Sequence, residues 1–515
     1  MSDPAALARV HALPAGTKFT QTVTGTCMTP AGIFDGDQVI LRRQDHAPNG
    51  QIVAATYPQP PAGTPRLVLK HYHPDQAVGP TTGSSPSPPQ HAHRRHPSRL
   101  ADRNAASRCT SNPERKASQM TRRHLPILSD AQREGMNPSL LEPIEYRKSG
   151  LSLNHIVGCP LDCAYCVRHL FDNFDMKTPR ALMRDEDAVQ LLTGHRFFQP
   201  HVTPIQVFNR ATDPFLQVVK PHTFAVLEHL DALGLRNHVL VITRWHITSQ
   251  DCERLNQLAN LRVTLLLTHS GIDHPQIEPV DSNIAARSLR VAFEHARRYR
   301  VVLYWRPLVP GLNDTDAHIA RARELSRFAH AVVFTGLFYR AQIQAFYRQH
   351  GLPEPYSDTA RRKVLPAELE RRILQVFGQQ GPDGLRAAGT SAPLFRKTSC
   401  GVAYAHGLTD YNGHHGIREL CDICPARQLE RCQAAFRRPD QAQVEQMAAG
   451  LGATGVPVIG DRAIIVAGLD EQRRYLMQHT LGYQVHDATK PHHYRRHGRA
   501  EIGWTQHTGS AVEEG

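Results

Sequence analysis

Between residues 152 and 337 six short apolar runs alternate with amphipathic stretches, and this alternation restricts the fold more than any other feature. The runs are SLNHIV (152–157), PIQVF (204–208), HVLVIT (238–243), RVTLLLT (262–268), RVVLYW (300–305) and AVVFTGL (331–337). Their length and β-branched content mark strands buried on both faces. Residues 218–233, 249–259, 283–298 and 314–328 carry apolar side chains at helical spacing. Parallel strands need a crossover long enough for a helix, so the pattern predicts an α/β fold with a parallel sheet, open or curled into a partial barrel. Its functional groups belong at the C-terminal ends of the strands.

Composition matters mainly for the flanks. The formal net charge is +13, which invites a nucleic-acid reading. Residues 76–125, however, hold nine basic and two acidic residues among Ser, Pro and His, with few large apolar side chains. Such a stretch cannot offset its ordering entropy, so residues 76–130 are expected to be a disordered linker. The charge then says little about the folded parts. The chain accordingly divides into a β-rich module (1–75), the linker (76–130), the α/β core (131–345) and a mostly helical extension (346–515). No apolar run reaches the roughly 18 residues of a membrane span. The start, MSDPAALARVHALPAG, has no basic region followed by an apolar one, which argues against a secretory signal. A cytoplasmic, reducing setting is expected, where ten cysteines serve metals or chemistry rather than disulfides.

The sharpest motif is GCPLDCAYC, which sets Cys159, Cys163 and Cys166 at C-x3-C-x2-C directly after the first strand. Three thiolates on one loop suit an iron–sulfur cluster with one open iron, whereas a structural zinc site wants a fourth ligand. His155 or His169 could supply that ligand. With Tyr165 just before the third cysteine, the loop resembles that of the radical S-adenosylmethionine (SAM) superfamily, over about residues 148–340. The resemblance implies a partial (β/α)6 TIM-like barrel and a [4Fe–4S] cluster on Cys159, Cys163 and Cys166. It also implies SAM on the open iron and reductive cleavage to a 5′-deoxyadenosyl radical. A one-electron donor such as flavodoxin or ferredoxin would be the partner.

The second strand leads into NRATDPF (209–215), similar to the branch that includes spore photoproduct lyase and DNA repair photolyase homologues. That likeness makes Asn209, Thr212 and Asp213 candidate SAM contacts; the alternative is a turn capping the next helix. Ser270, Glu278 and Arg287 resemble the same branch's Ser…Glu-Pro…Arg stretch, with Arg287 suited to a carboxylate or, alternatively, to a solvated helix face.

Beyond the core, Cys400, Cys421, Cys424 and Cys432 stand at C-x20-C-x2-C-x7-C. Four thiolates can complete a second Fe–S cluster or a structural zinc site, with His406, His414 or His415 able to replace one. Such an extension departs from spore photoproduct lyase.

Residues 21–72, with VTGTCMTPAGIFDGDQVILRR, NGQIVAATY and LVLKHYH, resemble the catalytic fold of LexA- and UmuD-type self-cleaving proteins and signal peptidases. Cys27 stands where that family has its nucleophilic Ser, and Lys70 fits the general base. The sequence thus supports a radical SAM enzyme whose substrate is a peptide, protein, small molecule or nucleic-acid lesion. Two alternatives remain: a zinc-binding, DNA-associated non-enzymatic protein, and a Cys/Lys peptidase activity of the N-terminal module.

Overall fold

A computed structural model describes residues 125–359, 363, 365–378 and 392–489, together with the backbone of four short N-terminal strands. Residues Met1–Thr121 with Thr193–Arg196 form one compact unit and the rest of the chain another. In the first, β1 (Lys18–Thr22) pairs antiparallel with β2 (Gln38–Arg42), and β3 (Ile52–Thr56) with β4 (Leu67–His71).

The second unit is built on eight strands in the order β14-β13-β12-β11-β10-β9-β6-β5. These are β5 (Ile144–Arg147), β6 (Gly150–Leu153), β9 (Ile205–Val207), β10 (His238–Thr243), β11 (Arg262–His269), β12 (Arg300–Leu308), β13 (Ala331–Gly336) and β14 (Leu394–Phe395). All pairings are parallel except the β5–β6 hairpin. The two short strands β7 (Ile156–Val157) and β8 (Arg180–Ala181) pair separately. The sheet is open, since β5 and β14 form its two edges.

Alternating side chains give the sheet two apolar faces. Val239, Val241, Val263, Leu265, Leu267, Val301 and Leu303 pack with Phe224, Leu227, Leu289 and Ile319 of the crossover helices Lys220–Ala232, Ser282–Glu294 and Asp316–Leu325. Helix starts are marked in the sequence: Thr248 and Asp251 make a capping box on Ser249–Gln257, and Asp281 caps Ser282–Glu294.

The opposite face carries Leu240, Leu266, Val302, Tyr304, Ala331 and Val333, and the extension covers it. Phe395, Val402 and Cys424 join that cluster. The helix Thr398–Ala405 lies so close that a Cβ on Gly401 would stand 2.6 Å from Val333 Cγ2. The extension therefore completes the core and shares one compact unit with it.

Two expectations change. The extension is not simply helical: β15 (Thr454–Ile459), β16 (Ala463–Ala467) and β17 (Gln484–Asp487) form a three-stranded sheet. Its exposed Val456 and Val458 blur the alternation that would have revealed it. And Leu125–Asp130, assigned to the linker by composition, belong to the fold. Leu125 N–H donates to His222 Nε2 at 3.2 Å, and Leu128 N–H to the Ala181 carbonyl at 2.8 Å. The rest of the linker, 76–124, lies outside the described residues, as does the C-terminal tail from residue 490.

Candidate active site

The three-cysteine loop follows β6 of the sheet and the short strand β7. Gly158 starts it with φ +93°, a conformation that favours glycine, and a Cβ there would meet the Thr178 carbonyl oxygen at 2.5 Å. Backbone bonds then anchor it. Cys159 N–H donates to the Met176 carbonyl at 2.8 Å, Ala164 N–H to that of Ile277 at 3.0 Å, and Cys166 N–H to that of Cys163 at 3.0 Å. Arg168, 2% exposed, donates to the carbonyls of Leu161, Asn173 and Phe174 at 2.7, 3.1 and 3.0 Å. A buried guanidinium thus holds the loop closed.

Cys163 and Tyr165 meet a buried polar cluster. Arg244 Nη1 donates to Cys163 Sγ at 3.2 Å, while lying 2.6 Å from the Tyr165 hydroxyl and 2.7 Å from Glu278 Oε2. The Tyr165 hydroxyl also donates to Glu278, as does Ser270 Oγ at 2.9 Å. Ser270 and Glu278 therefore buttress the cysteine loop and are not among the residues lining the cavity beside it. Arg244 and Arg168 carried no sequence signal, because each acts through partners distant in the chain or through backbone carbonyls.

The cavity measures about 530 Å³ and is lined by Cys159, Cys163, Tyr165 and Cys166, together with Asn209, Thr212 and Asp213. Asn209 accepts from Ser152 Oγ and donates to Gln206 Oε1, both at 2.5 Å. The Thr212 hydroxyl is buried without a partner. Asp213 Oδ1 accepts from Phe215 N–H at 2.9 Å and Thr243 Oγ1 at 2.6 Å, and Oδ2 from Arg244 N–H at 2.9 Å. It joins the strand ends of β9 and β10, and burial pushes its carboxyl up despite those donors. Arg287 is exposed on Ser282–Glu294 and does not line the cavity.

The loop's donor set fits a cluster. All three thiols are free. Burial pushes Cys159 up and Cys163 well up from their ordinary values, so strong positive charge is needed to hold them as thiolates. Among the described residues, Cys400, Asp410 and His414 are the group whose three donor atoms all lie within 4.8 Å of one another. Three thiolates on one loop leave one iron of a cubane cluster open, whereas a structural zinc site takes four ligands.

The second cysteine set lies outside the lining of this cavity, next to residues that do line it. Cys400 stands in the first turn of Thr398–Ala405, Cys421 ends Arg418–Cys421, and Cys432 lies in Ala426–Ala435. Cys424 follows in the intervening turn, its N–H donating to the Cys421 carbonyl at 3.0 Å. The four converge: burial raises the Cys400 thiol first, followed by the charges of Asp410, Cys421, Cys424 and Cys432. Cys400 Sγ lies 3.6 Å from Asp410 Oδ1 and 3.9 Å from His414 Nδ1. Asp410 had no signal in the cysteine spacing. His406 instead meets Thr264 Oγ1 at 2.9 Å, and His415 packs beside Phe436. Ser399, Asn412 and His414 line the cavity, so it reaches from the three-cysteine loop to the second set.

Cys27 lies outside the described residues, and Lys70 sits in β4 opposite Val53.

Residues 6–71 match the Peptidase S24-like family model. The chain is 60% identical over 37 residues to the LexA repressor of Limosilactobacillus reuteri (strain DSM 20016), 7% of this chain and 18% of that protein. It is 50% identical over 46 residues to the LexA repressor of Pelotomaculum thermopropionicum, 9% of this chain and 23% of that one. The chain thus spans less than a quarter of the length of these curated relatives. Among solved structures it is similar to a spore photoproduct lyase mutant with dinucleoside spore photoproduct. There the TM-score is 0.35 at 13% identity, over 46% of this chain and 77% of that one. It is also similar to Streptococcus suis SuiB bound to S-adenosylmethionine, with TM-score 0.29 at 11% identity over 44% and 46%.

Proposed function

We propose that the core is a radical SAM enzyme, with Cys159, Cys163 and Cys166 holding a [4Fe–4S] cluster. The observation that carries this reading is the C-x3-C-x2-C loop at the C-terminal end of the first parallel strand, opening into a cavity about 530 Å³ in volume. With the cluster and SAM bound, the chemistry supplied is one-electron cleavage of SAM to a 5′-deoxyadenosyl radical.

The chain's own residues do the rest. Arg244, just after β10, and Glu278, in the segment after β11, hold the loop through Tyr165 and Cys163, and Arg168 closes it from within. Thr212 has a free hydroxyl for the amino or carboxylate end of SAM. Asn209 borders the same wall, while Asp213 holds the β9 and β10 ends together. Cys400, Cys421, Cys424 and Cys432 would hold a second Fe–S cluster, with Ser399 and His414 beside Cys400 facing the cavity. A flavodoxin- or ferredoxin-type donor supplies the electron. Phe208, Ile242 and Leu337 give the wall apolar surface that keeps water from a reactive intermediate.

Anaerobic reconstitution tests the reading. About eight irons per chain and formation of 5′-deoxyadenosine on reduction are expected, both reduced in Cys163→Ala. Zinc without iron and no SAM cleavage would overturn it in favour of the zinc-binding alternative.

A second reading concerns residues 6–71, favoured by their match to the Peptidase S24-like model. In it, Cys27 is the nucleophile and Lys70 its base. Peptide cleavage by the full chain that disappears in Cys27→Ala supports it; background cleavage equal in both overturns it.

A further inference from the structure

Thr268 near the end of β11 and Thr335 near the end of β13 both line the cavity. They are 4% and 1% exposed, and neither hydroxyl has a hydrogen-bond partner. A buried hydroxyl without a partner is costly, and two on one wall mark a place where a ligand provides the acceptor.

Strand β12 runs between them. Its Tyr304 lies in register with Thr268 and its Trp305 with Phe334; beyond Trp305 the register shifts, and Arg306 and Thr335 both line the cavity. The Arg306 guanidinium sits 4.0 Å from the Tyr304 ring centre and donates to the Tyr304 hydroxyl at 3.3 Å. It has no carboxylate partner among the described residues. The Tyr304 hydroxyl stands 3.0 Å from Thr398 Oγ1, which brings the first turn of Thr398–Ala405 to the same patch. The N-cap of that helix, Lys397, places no side-chain acceptor on the first-turn N–H groups. Nine lining residues are Arg or Lys and one, Asp213, is acidic; its oxygens already serve Phe215, Thr243 and Arg244.

We propose that Arg306, Thr268, Thr335 and the first turn of Thr398–Ala405 form a subsite for a phosphoryl group of the substrate. The assignment rests on the radical SAM reading only in calling the ligand a substrate. Donors arrive from β11, from β13 and from the helix around one guanidinium. That arrangement suits the three oxygens of a phosphoryl group better than the flat pair of a carboxylate. Sugar phosphates and nucleotides present the same chemistry.

The test uses the full chain without SAM or reductant, titrated with inorganic phosphate and followed by calorimetry. Saturable binding is expected, weakened about tenfold or more in Arg306→Gln, the scale of one charge-assisted bond. Thr335→Val and Thr268→Val should each weaken it several-fold. Arg371→Gln, exposed on the helix Ala367–Phe377 and paired with Glu368, should bind as the parent does. Thermal melts establish that each variant folds, and the two Thr→Val variants carry the test should Arg306→Gln fail to. Displacement of phosphate by ribose 5-phosphate supports a monoester ligand, and by a dinucleoside monophosphate a diester. Displacement by neither, no saturable binding, or equal affinity in all variants would overturn the subsite. 5′-Deoxyadenosine formation is scored separately, so failure of the radical reading is told apart from failure of this one.

Discussion

Arg244 Nη1 donates to Cys163 Sγ across 3.2 Å, tying the residue after β10 to a thiol 81 positions earlier. The same nitrogen pairs with Glu278 at 2.7 Å, whose side chain is 3% exposed. Within the cluster this is the one cation facing the buried carboxylate.

Arg244→Leu should therefore cost about 3–5 kcal/mol, because it strands the Glu278 charge. Glu278→Gln should cost less, since Arg244 keeps some access to water and the Tyr165 hydroxyl as a neighbour. Urea unfolding of both variants checks the order. A larger loss in Glu278→Gln would contradict it.

Gly158→Ala should disturb the cysteine loop without touching a cysteine. The new methyl meets backbone oxygens of Thr178 and Met176 at 2.5 and 3.1 Å, and neither can swing aside as a side chain would. The φ of +93° adds strain for any other residue. Iron bound per chain after reconstitution should fall well below that of the parent; unchanged iron would show that the loop tolerates the shift.

Cys424→Ser separates the two cysteine sets. It should remove about four of about eight irons and leave the remainder on the first loop. Metal analysis reads this directly. Loss of zinc in place of iron would identify the second centre as a zinc site.

Acidification should weaken the fold between pH 6.5 and about 4. Burial is the main cause holding His269 and His479 down to about 4 and His238 to about 3. The unfolded chain takes up protons below about pH 6.5 and the folded chain does not. Stability is thus fully present above pH 6.5 and falls as pH drops towards the folded values. At pH 5 each such histidine costs about 2 kcal/mol relative to neutral pH. Urea midpoints at pH 7.5 and pH 5 test this, and equal midpoints would refute it.

The strand pattern was legible because it is local. HVLVIT at 238–243 is β10 residue for residue, and RVTLLLT ends one position before β11 does. The short edge strands β5 and β14 were not, since two to four residues carry too little periodicity. Residues 209–215 show the same division. The sequence marks a strand-end loop, and only the packed strands reveal that Asp213 is taken up by Thr243 and Arg244. Arg287 fitted a carboxylate ligand by motif position, but the apolar face of its helix turns to the sheet and leaves it in solvent.

By itself the sequence determined the β–α alternation, the two cysteine sets and the S24-like segment at 6–71. Each is written in side chains a few positions apart, where backbone preference and ligand spacing act directly. Tertiary structure decided what surrounds the cysteines. It brought Arg244 and Glu278 to Cys163, carried Asp410 and His414 to Cys400, and set the extension against the second face of the sheet. It also gathered cations from β5, β12, several loops and a helix end around one cavity, although the charge along the chain had pointed to the linker. Those outcomes depend on which apolar faces bury one another, and that choice belongs to the whole packed core.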